Sequence, residues 1–144
     1  MDASTVKQAN NILDTLQFHH IGVACNDIQR ELRSYRLLGY TSSGEELFED
    51  VQQGIRGLFL TVKGAPTLEL LENLEGSGTL DAWIERGQKL YHIAYSVKDI
   101  EKVLATLLVE RAKMVSPLKE SAYFKKRICF LMLPNRQLVE LIEE

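Results

Sequence analysis

The pattern of apolar and polar positions predicts the same run of elements twice along the chain. Residues 18–25 form an apolar run with strand-like alternation. The next residues carry apolar side chains every three or four positions, which predicts a helix from Ile28 to about Leu38 that Gly39 ends. Three more strands are predicted in this half of the chain, at residues 40–43, 55–62 and 67–72. The first half therefore reads as a β-α-β-β-β module.

The second half repeats this order. A strand is predicted at residues 90–97, followed by a helix that Asp99 caps and that runs to about Arg111. The remaining strands of this half are predicted at residues 113–116, 127–133 and 137–142. Two stretches are predicted to be loops, the acidic residues 44–53 and residues 118–126. The fold class that follows is α+β, with two tandem β-α-β-β-β modules.

The repeat also predicts how the chain is divided. Module one covers residues 17–74, a joint follows at 75–89, and module two covers 90–144. The joint carries a short predicted helix at residues 79–89, with Thr79 as its N-cap. Residues 17–144 are expected to form a single domain. Residues 1–16 precede it and are expected to be a helical extension packed on the outside, or a frayed end.

Each module places one histidine on its first strand and one glutamate on its last strand. His20 and His92 are 72 residues apart, which is half of the 144-residue chain. Glu69 follows His20 by 49 residues, and Glu140 follows His92 by 48 residues. All four have apolar neighbours, and a carboxylate buried among apolar groups costs several kcal/mol unless a partner compensates it. Because the same histidine–glutamate pair occurs at equivalent places in both modules, one explanation should account for both pairs.

A divalent metal ion is the compensating partner that suits these residue types. Neutral imidazoles and ionised carboxylates bind zinc, nickel, cobalt or manganese, so the predicted ligands are His20, Glu69, His92 and Glu140. The alternative is that the histidines are ordinary strand residues with backbone partners and that the glutamates face solvent. His19 is expected to be structural, because strand alternation points it away from its neighbour.

Composition and charge exclude several classes of partner. Hydrophobic residues make up 45% of the chain and charged residues 26%, as in ordinary globular proteins. A net charge of −3 argues against nucleic acid as a partner. The basic run at residues 125–127 is expected to be a solvated edge, with a ligand phosphate or carboxylate as the alternative. No apolar run approaches the roughly 18 residues that a membrane helix needs, and no signal-peptide pattern precedes the first strand.

The two cysteines indicate a reducing environment. Cys25 and Cys129 lie in apolar strand-like runs, so we expect them to be small core residues in a reducing compartment rather than a disulfide. The cytoplasm is the expected location.

The strand and glutamate motifs together resemble a known superfamily. The paired stretches are His-Ile-Gly-Val-Ala and His-Ile-Ala-Tyr-Ser, with Leu-Glu-Leu-Leu-Glu and Val-Glu-Leu-Ile-Glu ending the two modules. They resemble the vicinal oxygen chelate superfamily, which includes glyoxalase I, methylmalonyl-CoA epimerase, extradiol dioxygenases and bleomycin resistance proteins. The resemblance covers residues 18–144. It implies a glyoxalase-like fold, in which curved mixed sheets form a cleft around one metal ion held by the four residues named above.

Within that superfamily the chain looks most like methylmalonyl-CoA epimerase, on Gln-Gly-Ile-Arg at residues 53–56 and Leu-Tyr-His-Ile-Ala-Tyr at 90–95. Some epimerases carry a carboxylate near the position of Gly57 that serves as a second acid/base, which a glycine cannot do. A Gly-Gly pair common before the Lys-Arg of epimerases is replaced here by residues 122–125, Ala-Tyr-Phe-Lys. The expected pocket wall therefore differs from that of the epimerases.

These observations predict a metal-dependent isomerase or lyase of the glyoxalase or epimerase type. It would act on a small carbonyl or acyl substrate through a metal-stabilised enediolate. Glu140 and Glu69 are the predicted catalytic residues, one removing a proton and the other returning it from the opposite side.

Two other classes stay open. One is a non-catalytic small-molecule-binding protein of the bleomycin-resistance type, which needs no metal. The other is an Fe(II) dioxygenase with two histidines and one carboxylate, against which the fourth ligand argues. The expected partner in every case is a small molecule, and a homodimer formed through an apolar sheet edge is also open.

Overall fold

The computed structural model describes residues 12–42 and 44–144, and the chain divides into two compact units. The first unit is residues 20–92. The second unit combines residues 93–144 with the described residues of the N-terminal segment up to His19. Most of the predicted helical extension falls on residues 1–11, outside the described residues.

The first unit contains most of β1 together with three further strands and two helices. Their bounds are β1 (Gln17–Ala24), α1 (Ile28–Arg36), β2 (Phe48–Asp50), β3 (Ile55–Leu60), β4 (Leu68–Asn73) and α2 (Asp81–Glu85). The strand order is β2-β3-β4-β1. The pairs β2–β3 and β3–β4 are antiparallel, whereas β1 and β4 are parallel.

The second unit has the same arrangement. Its elements are most of β5 (Leu90–Val97), whose residues 90–92 belong to the first unit, together with α3 (Ile100–Val109), β6 (Lys113–Met114), β7 (Lys119–Glu120), β8 (Arg127–Met132) and β9 (Leu138–Glu143). The strand order is β6-β8-β9-β5, and β7 also pairs with β8. The first and last strands, β5 and β9, are parallel, and β8 is antiparallel to β9. The predicted α+β class with duplicated modules is confirmed.

Each unit buries one face of its helix against one face of its sheet. Helix α1 begins after Asp27, whose carboxylate accepts a hydrogen bond from the backbone N–H of Arg30 at 3.0 Å. Its buried residues belong to a core of strand side chains: Val23, Cys25, Ile28, Leu32, Tyr40, Leu58, Leu60, Leu68 and Leu70. The face of this sheet that does not pack against α1 carries the candidate site.

Helix α3 begins after Asp99, which caps it in the same way, with a 3.1 Å bond from the backbone N–H of Lys102. The core beneath it contains Val97, Ile100, Val103, Ala112, Cys129, Leu131, Val139 and Leu141. Residues just before β1 pack against this core, namely Ile12, Leu13 and Leu16.

Two predictions near the acidic stretch are wrong, the loop at residues 44–53 and the strand at residues 40–43. Strand β2 lies within the predicted loop at residues 44–53, because Phe48 and Asp50 turn inward while Glu49 is exposed. The strand predicted at 40–43 is reduced to an isolated bridge between Thr41 and Thr61, and Ser43 is outside the described residues. A short edge strand that alternates with charged residues has the composition of a loop.

Further element ends differ from the prediction. Helix α1 ends two residues early, and Leu38 is 69% exposed instead of completing the buried stripe. Helix α2 has Leu80 as its N-cap, because the Thr79 hydroxyl donates a 2.6 Å hydrogen bond to the Gln53 carbonyl. Strand β7 lies within the predicted loop at 118–126. Among the described residues, no helix has the length and apolar character that crossing a membrane requires.

Candidate metal centre

Two buried histidines on the first strands of the repeat face each other. His20 lies on β1 and is fully buried, and His92 lies on β5 with 1% of its surface exposed. Their Nε2 atoms are 3.0 Å apart, and their rings meet edge to face at an angle of 81°. The sequence repeat predicted both residues as ligands, and the structure brings them together.

Glu69 completes a compact group with the two histidines. It lies on β4, directly beside Gly22 of β1, and is 6% exposed. Its Oε1 atom is 3.2 Å from Nε2 of His20 and 3.4 Å from Nε2 of His92. Three donor atoms from three strands thus form a triangle with sides between 3.0 and 3.4 Å.

This triangle has the size that a first-row divalent ion requires. Nitrogen and oxygen ligands bind such ions at about 2.0–2.2 Å, so neighbouring ligands at tetrahedral or octahedral angles are about 2.8–3.6 Å apart. The donor set of two imidazoles and one carboxylate also suits these ions. His20, Glu69 and His92 therefore fit a divalent metal ion.

Gly22 makes room for one of the ligands. A Cβ atom at this position would lie 2.3 Å from Cε1 and 2.4 Å from Nδ1 of the His92 ring. No real side chain tolerates such distances, so the ring occupies the space that glycine leaves on β1. The residue type at position 22 is thus tied to the placement of His92.

Glu69 is held in its ionised form despite its burial. Burial disfavours the charge of the carboxylate, but the adjacent rings of His20 and His92 favour it and lower the pKa of Glu69 below its usual value. Glu69 therefore offers a full negative charge near neutral pH, which is the form that binds a cation.

Glu140 occupies the equivalent place in the second unit. It lies on β9 beside Ala94 of β5 and opposite Phe130 of β8, and it is 3% exposed. Glu69 lies between Gly22 and Phe59 in the corresponding register of the first unit. The predicted equivalence of the two glutamates is therefore reproduced strand by strand.

Two aromatic residues next to the site were not predicted from the sequence. Phe59 packs its ring against His20 edge to face, with centroids 5.1 Å apart. Phe48 stacks on Phe59 at 5.9 Å and an interplanar angle of 23°. Phe48 lies in the stretch read as an acidic loop, where its isolated aromatic ring among acidic residues was the available signal.

Other residues considered in the sequence have separate surroundings. His19 is exposed and meets the ring of Phe124 edge to face at 5.6 Å. Arg127, the last residue of the basic run, forms ion pairs with Glu101 and Glu143. Its charge is therefore already matched within the second unit.

The cysteines are core residues, as predicted. Burial raises the pKa of Cys25 to about 12 and that of Cys129 to about 11, with Glu31 adding to the first effect and Glu140 to the second. Neither thiol has the lowered pKa of a nucleophile.

Comparison with solved structures finds the same fold in methylmalonyl-CoA epimerases and in a hypothetical protein. Methylmalonyl-CoA epimerase from Mycobacterium tuberculosis is 26% identical with a TM-score of 0.70, over 88% of this chain and 87% of that chain. A methylmalonyl-CoA epimerase in complex with methylmalonyl-CoA and ammonium is 26% identical with a TM-score of 0.70, over 90% and 95%. A hypothetical protein of Bacillus halodurans is 28% identical with a TM-score of 0.68, over 90% and 95%.

Sequence comparison establishes the family. A search of curated protein sequences found no significant match. The family model described as Glyoxalase/Bleomycin resistance protein/Dioxygenase superfamily matches residues 19–130, which is most of the chain. This match confirms the resemblance that the repeated motifs carried. The chain therefore belongs to the Glyoxalase/Bleomycin resistance protein/Dioxygenase superfamily.

Proposed function

We propose that this protein is a divalent-metal-dependent isomerase or lyase that moves a proton on the carbon next to a carbonyl group. The single observation that carries the proposal is the buried triangle of His20, Glu69 and His92 donor atoms. A non-catalytic binding protein of the same superfamily would not need this costly group of buried polar residues. The substrate class is a small carbonyl or acyl compound.

Glu140 is the proposed fourth ligand. Its support is the strand register that it shares with Glu69, together with its burial among apolar residues of the second unit. Burying a carboxylate costs free energy, and a divalent cation is a partner that offsets that cost. The identity of the ion is left among zinc, nickel, cobalt and manganese, since all four accept two imidazoles and two carboxylates.

The proposed chemistry assigns one carboxylate to each direction of proton transfer. A divalent ion bound by these residues would polarise the substrate carbonyl and acidify the adjacent C–H bond. Glu140 is the proposed base that accepts this proton and later releases it to solvent, and Glu69, after taking up a proton from solvent, is the proposed second carboxylate that returns one to the carbon. Two carboxylates from equivalent positions of a repeated module support exchange between two faces of the same carbon.

Gly57 supports assigning the proton transfers to these two glutamates. This position has no side chain, and the ring of Phe48 fills the space beside it. Position 57 therefore supplies no acid or base. Since the solved relatives include an epimerase bound to methylmalonyl-CoA, an acyl thioester with an acidic C–H bond is the first substrate to test.

The test follows exchange of the substrate proton with solvent. Protein loaded in turn with each of the four ions is incubated with methylmalonyl-CoA, and separately with a 2-oxoaldehyde hemithioacetal, in deuterated water. Incorporation of deuterium next to the carbonyl is followed by NMR. Glu140→Gln should fold and lose activity by about 100-fold or more, which is the usual contribution of an acid/base group.

Glu120→Gln is the matched control, because Glu120 is an exposed glutamate of the same unit on β7. It should exchange the proton at the wild-type rate. Full activity of Glu140→Gln would remove the proposed role of Glu140. A protein that takes up no metal under any loading condition would remove the proposed function and favour the metal-free binding protein.

A further inference from the structure

One face of the first unit's sheet carries both the metal-binding triangle and an aromatic pair. Glu69 of β4 is directly opposite Phe59 of β3, so the two side chains lie on the same sheet face. Gly57 is two residues from Phe59 and therefore on that face as well. Phe48 of β2 is directly opposite Gly57. The face thus runs outward from the triangle to the edge strand.

Phe48 lies directly over the backbone of Gly57. A Cβ atom at Gly57 would be 2.3 Å from Cζ of Phe48 and less than 3.0 Å from both Cε atoms. Any side chain at position 57 would therefore displace the ring. The glycine and the phenylalanine form a matched pair, in which the missing side chain allows the ring to lie flat on the sheet.

Phe59 connects the ring of Phe48 to His20, one of the proposed metal ligands. Its stacking partner Phe59 is 6% exposed and cannot move without opening the sheet face. Phe59 in turn meets the His20 ring at an angle of 88°. Aromatic pairs of this geometry contribute roughly 0.5–1.5 kcal/mol beyond their buried area, which is enough to favour one ring orientation.

The second unit has the same strand register but other residue types at the positions that correspond to Gly57 and Phe48. Phe130 of β8 lies opposite Glu140, as Phe59 lies opposite Glu69. The residues that correspond to Gly57 and Phe48 there are Ile128 and Lys119, which pair across β8 and β7. Neither has an aromatic ring, so the stack is a property of the first unit.

We propose that Phe48 is a positioning residue for His20 that acts through Phe59, an inference that rests on the proposed metal site. An imidazole ring turns about two side-chain torsions, and a metal ligand must be held within about 0.5 Å of its productive position. The aromatic pair restricts His20 by filling the space beside its ring. The contacts described above connect Phe48 to His20 through Phe59.

The first experiment measures cobalt binding, because Co²⁺ reports both affinity and ligand geometry through its visible absorption. Wild type, Phe48→Ala, Phe48→Tyr and Leu47→Ala are titrated with Co²⁺ after removal of other metals. Phe48→Ala should bind about tenfold or more weakly with an altered absorption band, which is the usual cost of losing support behind a ligand. Phe48→Tyr keeps the ring and should restore both.

Leu47→Ala is the matched control, because Leu47 is the preceding residue and is 47% exposed. It loses an apolar side chain in the same segment and should leave the affinity and the absorption band unchanged. Equal affinities and spectra for wild type and Phe48→Ala would overturn the inference. So would a Phe48→Tyr variant that behaves like Phe48→Ala.

The second experiment needs no metal and separates this inference from the proposed function. In metal-free protein with isotopically labelled histidines, the NMR signals of the His20 ring should shift in Phe48→Ala and in Gly57→Ala, while those of the exposed His19 ring stay in place. Gly57→Ala displaces the Phe48 ring without removing it and provides an independent route to the same change. Unchanged His20 signals in both variants would overturn the inference even if the protein binds metal.

Discussion

The Nε2 atoms of His20 and His92 lie 3.0 Å apart, although 72 residues separate the two histidines in the chain. Glu69 approaches both of these atoms with the same carboxylate oxygen. Because the three donors come from different strands, their convergence depends on strand register and not on a local sequence motif. The following predictions concern what holds this group in place and what surrounds it.

Removing either histidine should abolish tight metal binding. His20→Ala and His92→Ala each delete one of three donors, so the dissociation constant for Zn²⁺ should rise by more than about 100-fold, beyond the effect of a supporting residue. The control is His19→Ala, which removes an exposed histidine next to one of the ligands. Calorimetric titration and elemental analysis provide the measurement. A loss of metal in His19→Ala equal to that in His20→Ala would contradict the assignment.

Gly22→Ala should disturb the site through His92 alone. The added methyl group would lie 2.3–2.7 Å from three atoms of the His92 ring, so the ring must move. We expect a cost in stability of about 1–3 kcal/mol from overpacking, together with a weaker affinity for Zn²⁺. Thermal unfolding and calorimetric titration measure the two effects.

Gly64→Ala is the control for this substitution. Gly64 has a φ of +82° and no neighbouring atom within 4 Å of an added Cβ, so alanine there adds backbone strain without a clash. Its metal affinity should equal that of the wild type. If Gly22→Ala also retained wild-type affinity, the link between this glycine and His92 would be wrong.

The two cysteines should be unreactive in the folded protein. With pKa values near 12 for Cys25 and 11 for Cys129, fewer than about one thiol in a thousand is ionised at pH 8, against roughly a quarter of free cysteines. Reaction with an aromatic disulfide reagent at pH 8 should therefore be at least about 100-fold slower in native protein than in guanidinium. Rapid labelling of either thiol in native protein would contradict their burial.

The capping aspartates should stabilise the two helices by similar amounts. Asp27→Ala and Asp99→Ala each remove the side-chain acceptor for a backbone N–H in the first turn. Each substitution should lower the free energy of unfolding by about 1 kcal/mol, measured by urea denaturation. Asparagine keeps the acceptor, so Asp27→Asn and Asp99→Asn should lose much less. Equal losses for alanine and asparagine would indicate that charge, and not the cap, is responsible.

The spacing of the repeat made the site residues predictable. His20 and His92 follow the same strand pattern, and the nearly equal distances to Glu69 and Glu140 identify equivalent last strands without any structure. The predicted bounds of strand β5, residues 90–97, match the structure, because this stretch repeats the pattern of the first strand. Parallel pairing of β1 with β4 then brings His20 and Glu69 to the same face of neighbouring strands.

The aromatic support behind His20 could not be predicted in this way. Phe48 lies among acidic residues on an edge strand of only three residues, so periodicity does not mark it, and its one signal is an aromatic ring in an otherwise acidic stretch. The glycine at position 57 is explained only by its contact with Phe48 across strands β2 and β3, and a single sequence does not reveal such a pairing. The exposed Leu38 shows the opposite failure, since helical spacing predicted burial past the point where the helix ends.

The core of the second unit uses residues from widely separated parts of the chain. Ile12, Leu13 and Leu16 pack against a cluster that also contains Leu141. During translation these three side chains leave the ribosome before residues 20–92, whereas β9, which completes their core, is made after residues 20–92. Residues 20–92 are all made before β9 and can form their own core while the side chains of Ile12, Leu13 and Leu16 are still unburied. The first unit can therefore fold before the core of the second unit is complete. Ile12, Leu13 and Leu16 stay exposed to chaperones until β9 has been made.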